Sequence, residues 1–267
     1  MSLSYPSDDG PREVLHQVDL DVPAGQFLAV VGPSGCGKST LLRCAAGLTR
    51  PTEGDVVIDT VRIDGPARGT AVVFQEYGRS LFGWRTIRAN VELGARLASS
   101  DRRERMALAA SALSAVGLAD RGDDHPWQLS GGMQQRVAIA RAIASRPRVL
   151  LMDEPFAAVD AQTREDLEDL IRRIWRETEV TILFVTHDID EAVYLSERVL
   201  VMGAAPWSVR ADHRVPLPRD RDQVSTRALP AFNELRAAVR GQVRAASAPA
   251  ESGREATSPG TRSGFRG

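Results

Sequence analysis

The chain has 267 residues, 43% of them hydrophobic, and 34 basic against 35 acidic side chains, a formal net charge of −1. That length holds one full α/β domain with additions, and the charge balance gives no electrostatic footprint for nucleic acid. Apolar runs such as Phe27–Val31 and Ile182–Val185 fall far short of the roughly 18 residues of a membrane span. Ser2 to Arg12 is polar and has no signal-peptide pattern, so a cytosolic protein is expected.

The N-terminal stretch contributes Tyr5, the one aromatic before Phe27. Phe27–Val31 reads as a buried strand, as do Ala71–Phe74, Val149–Met152, Thr181–Val185 and Val199–Met202. Directly after the first of these comes Gly32-Pro33-Ser34-Gly35-Cys36-Gly37-Lys38-Ser39-Thr40. This is the G-x-x-x-x-G-K-[ST] pattern between strand and helix, where backbone amides and a helix start cradle phosphate. Lys38 is the single lysine; the other 33 of the 34 basic residues are Arg. A compact ammonium has been kept where a planar guanidinium would not serve. Lys38 is expected to bridge the β- and γ-phosphates and Ser39 to ligate Mg²⁺. The two cysteines, Cys36 and Cys44, have no Cys or His at metal-ligand spacing and read as small packing residues.

Gly54–Ile63 alternates apolar residues (Val57, Val61, Ile63) and reads as an antiparallel hairpin turning near Asp59-Thr60. The Ala71–Phe74 strand ends at Gln75. Between Gly78 and Arg146 no strand is legible, and helical patterns near Asp101–Val116 and Met133–Ser145 predict an inserted helical subdomain, about 79–146. Leu129-Ser130-Gly131-Gly132-Met133-Gln134-Gln135-Arg136 opens the second of these helices, a second anion-binding helix start. One ATP would lie on the first loop, so the second is surplus in a monomer; two chains head to tail would each cap the other's nucleotide.

Val149–Met152 runs into Asp153-Glu154. Asp153 is expected to hold Mg²⁺ and Glu154 to take the proton of attacking water, a contribution of about 10² to 10⁴ in rate. Thr163–Glu177 reads as a helix, and the Thr181–Val185 strand leads through Thr186 to His187. Four strands thus end in Lys38's loop, Gln75, Asp153-Glu154 and His187, the edge where open α/β sheets bind ligands. His16, His125 and His213 lack such placement and read as surface residues. Pro230–Val243 predicts one amphipathic helix. From Ala245 to Gly267 there is no Ile, Leu, Val or Met, a composition that predicts a disordered tail.

These motifs resemble the ATP-binding cassette (ABC) family over roughly residues 4–216: Walker A at 32–40, Q-loop Gln75, signature 129–136, Walker B at 149–154, D-loop Ala157-Ala158-Val159-Asp160 and switch His187. The resemblance implies a RecA-like P-loop NTPase core with an antiparallel β subdomain and an α-helical subdomain within 1–216, followed by an extension, 217–244, and a tail, 245–267. It implies catalytic roles for Glu154, His187, Gln75 and Lys38, and Mg²⁺ ligation by Ser39, Gln75 and Asp153. Nucleotide binding falls to residues 32–40 and to Ser130, Gly131, Gly132, Gln134 and Asp160, with Ser130 and Gly132 reaching the γ-phosphate of a homodimer partner. In this family an aromatic before Walker A stacks on adenine; Tyr5 matches, although only four residues precede it and the first strand is expected to be cut short.

The strings DEPFAAVDAQTRE, FVTHDIDEAVYLSERVLVM and VFQEYGRSLFGW look like the nitrate/sulfonate/taurine group of importers. That implies an ATPase on the cytoplasmic side of the membrane, bound to an integral permease and served by an extracytoplasmic solute-binding protein. Glu76, Tyr77, Leu81, Phe82 and Trp84 would receive the permease's coupling helix. Val159, Gly83 and Thr60 depart from the family's usual Leu, Pro and Gly, which bears on subfamily and partner fit. A soluble ABC ATPase unconnected with transport is the alternative; such chains carry paired cassettes, long insertions, zinc cysteines or basic arms, none of which is here. A P-loop kinase or GTPase is opposed by LSGGMQQR.

Overall fold

The computed structural model describes residues 1–8, 10–75, 80–203 and 208–247. Its centre is a six-stranded sheet of β3 (Phe27–Val31), β6 (Thr70–Val73), β7 (Val149–Asp153), β8 (Thr181–Val185), β9 (Arg198–Met202) and β10 (Val209–Arg214), ordered β10-β9-β3-β8-β7-β6. Strands β9, β3, β8, β7 and β6 are parallel, and β10 joins β9 antiparallel. The five parallel strands are those the apolar runs predict; β10 is an addition. The strands are buried on both faces because their side chains alternate between two cores. Phe27, Ala29, Val31, Leu150, Met152, Ile182 and Phe184 belong to one, Leu28, Val30, Leu151, Leu183 and Val185 to the other.

The first face is covered by α4 (Gly131–Ile143), α5 (Ala161–Thr178), α6 (Ile189–Leu195) and α8 (Pro230–Ser247). Helix α5 buries Leu167, Leu170, Ile171, Ile174 and Trp175, a stripe at helical spacing. On the second face lies α1 (Lys38–Ala45), with the short antiparallel pair β1 (Leu3–Tyr5) and β2 (Arg12–Leu15) beside it. The hairpin β4 (Val57–Ile58) and β5 (Val61–Arg62) forms where alternation predicts it. Its turn takes φ 49° at Asp59 and 68° at Thr60, the double left-handed geometry of a type I′ turn, uncommon for a β-branched residue.

Between β6 and β7 the described residues are helical: α2 (Ile87–Ala95), α3 (Arg102–Ala115) and α4, packed on one another. Each starts on a side-chain cap: Thr86 accepts from Ala89 N–H, Asp101 from Glu104 N–H and Ser130 from Met133 N–H. Leu81 is buried within the first core, which corrects its reading as a docking residue. Phe82 and Trp84 are exposed, their rings 5.1 Å apart. Glu76 and Tyr77 lie outside the described residues.

The C-terminal extension is held tightly. Phe232, Leu235 and Val239 of α8 are buried, as the amphipathic pattern predicts, and α7 (Ser225–Ala228) leads into it. The buried carboxylate of Glu168 pairs with Arg227 at 2.7 Å. Helix α8 continues to Ser247, past Ala245, where composition alone begins a tail; residues 248–267 lie outside the described set. No described helix is long and apolar enough to cross a membrane.

Candidate active site

The carboxyl ends of β3, β8, β7 and β6 are neighbours in the sheet, and each delivers polar groups to the same edge. After β3 the chain turns through Gly32–Gly37 into α1. Gly37, at φ +75°, is the residue before the helix, and a Cβ there would sit 3.2 Å from Leu15 Cδ2. The loop therefore needs a residue with left-handed freedom and no side chain. Lys38 is buried, its Nζ donating to the carbonyls of Gly32 at 2.9 Å and Pro33 at 3.0 Å. The loop's own backbone thus aims the ammonium along the loop. Cys36 and Cys44 are free and buried, and burial pushes both thiols up, so they pack rather than react.

Strand β7 brings Asp153 to the same place: Ser39 Oγ donates to Asp153 Oδ1 at 2.9 Å across 114 residues of sequence. Burial raises the Asp153 carboxyl and the hydrogen bond from Ser39 opposes it; Glu154 raises it further, while Arg43 and Lys38 lower it. One hydroxyl and one carboxylate, both hard oxygen donors, suit a small divalent cation bridged to phosphate. Gln75 follows β6 at the neighbouring strand end, and its side chain is exposed.

Glu154 stands at φ 45°, a left-handed conformation that costs a non-glycine residue about 1–2 kcal/mol. Its N–H is secured on the Val185 carbonyl at 2.8 Å, which ties the end of β7 to the end of β8. Its Oε2 is 3.2 Å from His187 Nδ1. A carboxylate only accepts, so Nδ1 carries the proton of this contact. Strain of this kind persists where the surroundings over-determine it, and it marks functional sites.

The remaining candidates lie on other elements. Ser130, Gly131 and Gly132 begin α4, which packs on α2, α3 and β6. β6 is three strands from β3, about 14 Å at the usual strand spacing. A Cβ on Gly132 would meet Thr163 Cγ2 at 2.3 Å, so that glycine allows α4 to approach the start of α5. Gln134 Nε2 donates to the carbonyls of Pro126 and Leu129; its amide is engaged within its own loop. Asp160 caps α5, accepting from Thr163 N–H at 3.0 Å and Thr163 hydroxyl at 2.7 Å. Tyr5 is exposed at the end of β1, paired in register with Arg12 of β2.

Two residues that the sequence reading passed over join the His187 turn. Thr186 and Glu191 are buried and hydrogen-bonded to each other at 2.6 Å. Glu191 lies among Ile189, Ala192, Val193 and Leu195, and an acid on the apolar stripe of a short helix is the signal that could have found it.

A strand-loop-helix phosphate cradle with a buried lysine, at the carboxyl edge of a parallel sheet beside an Asp-Glu pair, defines a P-loop nucleoside triphosphatase. The profile of the ABC transporter family matches residues 15–157. An uncharacterized ABC transporter ATP-binding protein of Methanocaldococcus jannaschii is 48% identical over 213 residues, 80% of this chain and 79% of that protein. The nitrate import ATP-binding protein NrtD of Synechocystis is 44% identical over 82% of this chain and 81% of its own. The taurine import ATP-binding protein TauB of Yersinia pestis is 46% identical over 74% and 77%. Among solved structures, the dimeric post-hydrolysis ATP-binding cassette MJ0796 bound to ADP and Pi superposes with a TM-score of 0.69 at 32% identity, covering 80% of this chain and 96% of that one. The chain belongs to the ABC transporter family and is an ATP-hydrolysing cassette of it.

Proposed function

We propose that the chain is the ATPase subunit of an importer, working as a head-to-tail pair on a separate membrane permease to take up a small anion or organic solute of the nitrate, sulfonate or taurine kind. The unit that does this is residues 1–216, with its helical part at about 79–146 and the extension 217–244 packed against it. The observation that carries hydrolysis is the Glu154–His187 contact of 3.2 Å at the edge where Lys38, Ser39 and Asp153 meet. Likeness to the nitrate and taurine import proteins over 82% and 74% of the chain carries the import reading.

In this reading Gly32–Thr40 wraps the ATP phosphates, and Lys38 turns from its loop carbonyls to the β- and γ-phosphates. Ser39, Asp153 and Gln75 would hold Mg²⁺, which neutralises phosphate charge and orients the γ-phosphoryl group. Glu154 accepts a proton from water as the water oxygen bonds to the γ-phosphorus and the bond to the bridging β–γ oxygen breaks, giving ADP and phosphate. His187, held by its Nδ1–H on Glu154, presents its other nitrogen to the γ-phosphate. Ser130, Gly131, Gly132, Gln134 and Asp160 serve the partner's nucleotide, Gln134 by bracing its loop.

Tyr5 is assigned the adenine stack. Tyr5→Ala should weaken ATP binding by about 0.5–1.5 kcal/mol, the worth of an aromatic contact, and Tyr5→Trp should restore it. Equal affinity of Tyr5→Ala and the unaltered chain, by equilibrium titration, would move the base elsewhere.

The exposed Phe82–Trp84 pair is the surface assigned to the permease. Co-expressed with its cognate permease, the chain should co-purify, and its turnover should rise when a solute-loaded binding protein is added. Trp84→Ala should lose the co-purification while the isolated chain keeps its turnover within about twofold, since a tryptophan that an interface buries at its centre carries much of the binding energy. Co-purification with no permease would favour a cassette acting outside transport.

A further inference from the structure

The turn that presents His187 rests on a buried relay. Thr186 Oγ1 accepts from Asp188 N–H at 3.0 Å and donates to Glu191 Oε2 at 2.6 Å. Asp188 Oδ1 caps α6, accepting from Asp190 N–H at 2.8 Å and Glu191 N–H at 3.2 Å. The other oxygen of Glu191 is 3.5 Å from Arg164 Nε, and Arg164 Nη1 is 3.5 Å from Asp188 Oδ2. The same guanidinium donates through Nη2 to the carbonyl of Val159 at 3.5 Å, the residue before Asp160. One side chain of α5 therefore touches both the loop at 157–160 and the turn at 186–191.

Stability alone does not call for an acid at 191. Burial pushes the Glu191 carboxyl up to about 7 from its ordinary 4.5; the Thr186 hydrogen bond and Arg164 pull it down, and Asp188 and Glu168 raise it. A carboxyl that holds its proton to about 7 when folded but releases it near 4.5 when unfolded loses stability as pH climbs through that window. At pH 8 the buried carboxylate is a net cost. What a carboxylate adds over an amide is a second acceptor oxygen: Oε2 takes the Thr186 hydroxyl while Oε1 faces Arg164, and Thr186, its proton given to Glu191, holds the peptide N–H that follows His187.

We infer that Thr186, Glu191 and Arg164 are positioning residues that hold His187 against Glu154 in step with the segment Ala157–Asp160. This rests on the reading of Glu154 and His187 as the hydrolytic pair. Losing the Thr186 hydroxyl frees the Asp188 N–H and loosens the turn, so the imidazole drifts from Glu154; a displacement of about 1 Å can cost up to about a hundredfold in rate. The phosphate loop, on β3 and α1, is untouched.

The test uses the full-length chain in single-turnover hydrolysis with excess protein, so that slow rates remain measurable, together with ATP affinity and thermal melting at pH 8. Thr186→Val should lower the hydrolysis rate about tenfold or more with ATP affinity within about twofold, and Thr186→Ser should restore the rate. Glu191→Gln should also lower the rate while melting at the same temperature as the unaltered chain or above it. In a His187→Ala background, Thr186→Val and Glu191→Gln should each cost less than about twofold more, because they act through the missing imidazole. An undiminished rate in Thr186→Val or Glu191→Gln, or a loss that persists in the His187→Ala background, overturns the positioning role. An undiminished rate in His187→Ala itself overturns the hydrolytic pair instead.

Discussion

Glu154→Gln should keep ATP bound and lower its hydrolysis at least about a hundredfold, the worth of a general base. The amide keeps the size of the side chain and can still accept from His187 Nδ1, so the 3.2 Å contact and the backbone tie to Val185 survive. Only the ability to take a proton is lost. Lys38 and Ser39, to which phosphate binding is assigned, are unaltered, so ATP should accumulate and hold two chains together, visible as a dimer by size-exclusion chromatography. The left-handed backbone at Glu154 is a property of the position, not of the carboxylate, so melting temperature should change little. Turnover equal to that of the unaltered chain would remove Glu154 from the role of base.

Much of this arrangement is legible in the sequence, and what is not has a physical reason. Strands β3, β7 and β8 are apolar on both faces, so their runs stand out, and the polar residues that follow each run mark one common edge. Asp59 and Thr60 turn where alternation places a hairpin. β10 escapes notice because Val209-Arg-Ala-Asp-His-Arg214 is an edge strand, half exposed along its length and paired only with β9. Leu81 is misread because it borders the exposed Phe82 and Trp84, yet it turns inward to the core. The contact of Ser39 with Asp153 depends on β3 and β7 flanking β8, an order that no local pattern encodes. Thr186 and Glu191 lie in a run already singled out for His187, but their partnership arises from the turn between β8 and α6.

Ser130→Arg should leave ATP binding to the single chain nearly intact and abolish both ATP-driven dimerisation and hydrolysis. Ser130 starts α4, its Oγ accepting from Met133 N–H at 3.4 Å, and α4 packs on β6 rather than on the phosphate loop's strand. Gly132 has no room for a side chain beside Thr163, so the helix start is a tight amide cluster with a favourable field for anions. Losing the cap costs about 0.5–2 kcal/mol, which the fold can bear, whereas an arginine at the mouth of the cluster would block the γ-phosphate of a partner in the proposed pair. Mixing Ser130→Arg with Lys38→Ala chains separates steric blockage from general damage. In a head-to-tail pair both lesions fall on one composite site and the other site is whole, so part of the activity should return on mixing. Homodimers of either variant carry a lesion in both sites and should stay inactive. Loss of ATP binding by the single Ser130→Arg chain would place the loop on its own nucleotide and end the paired-site mechanism.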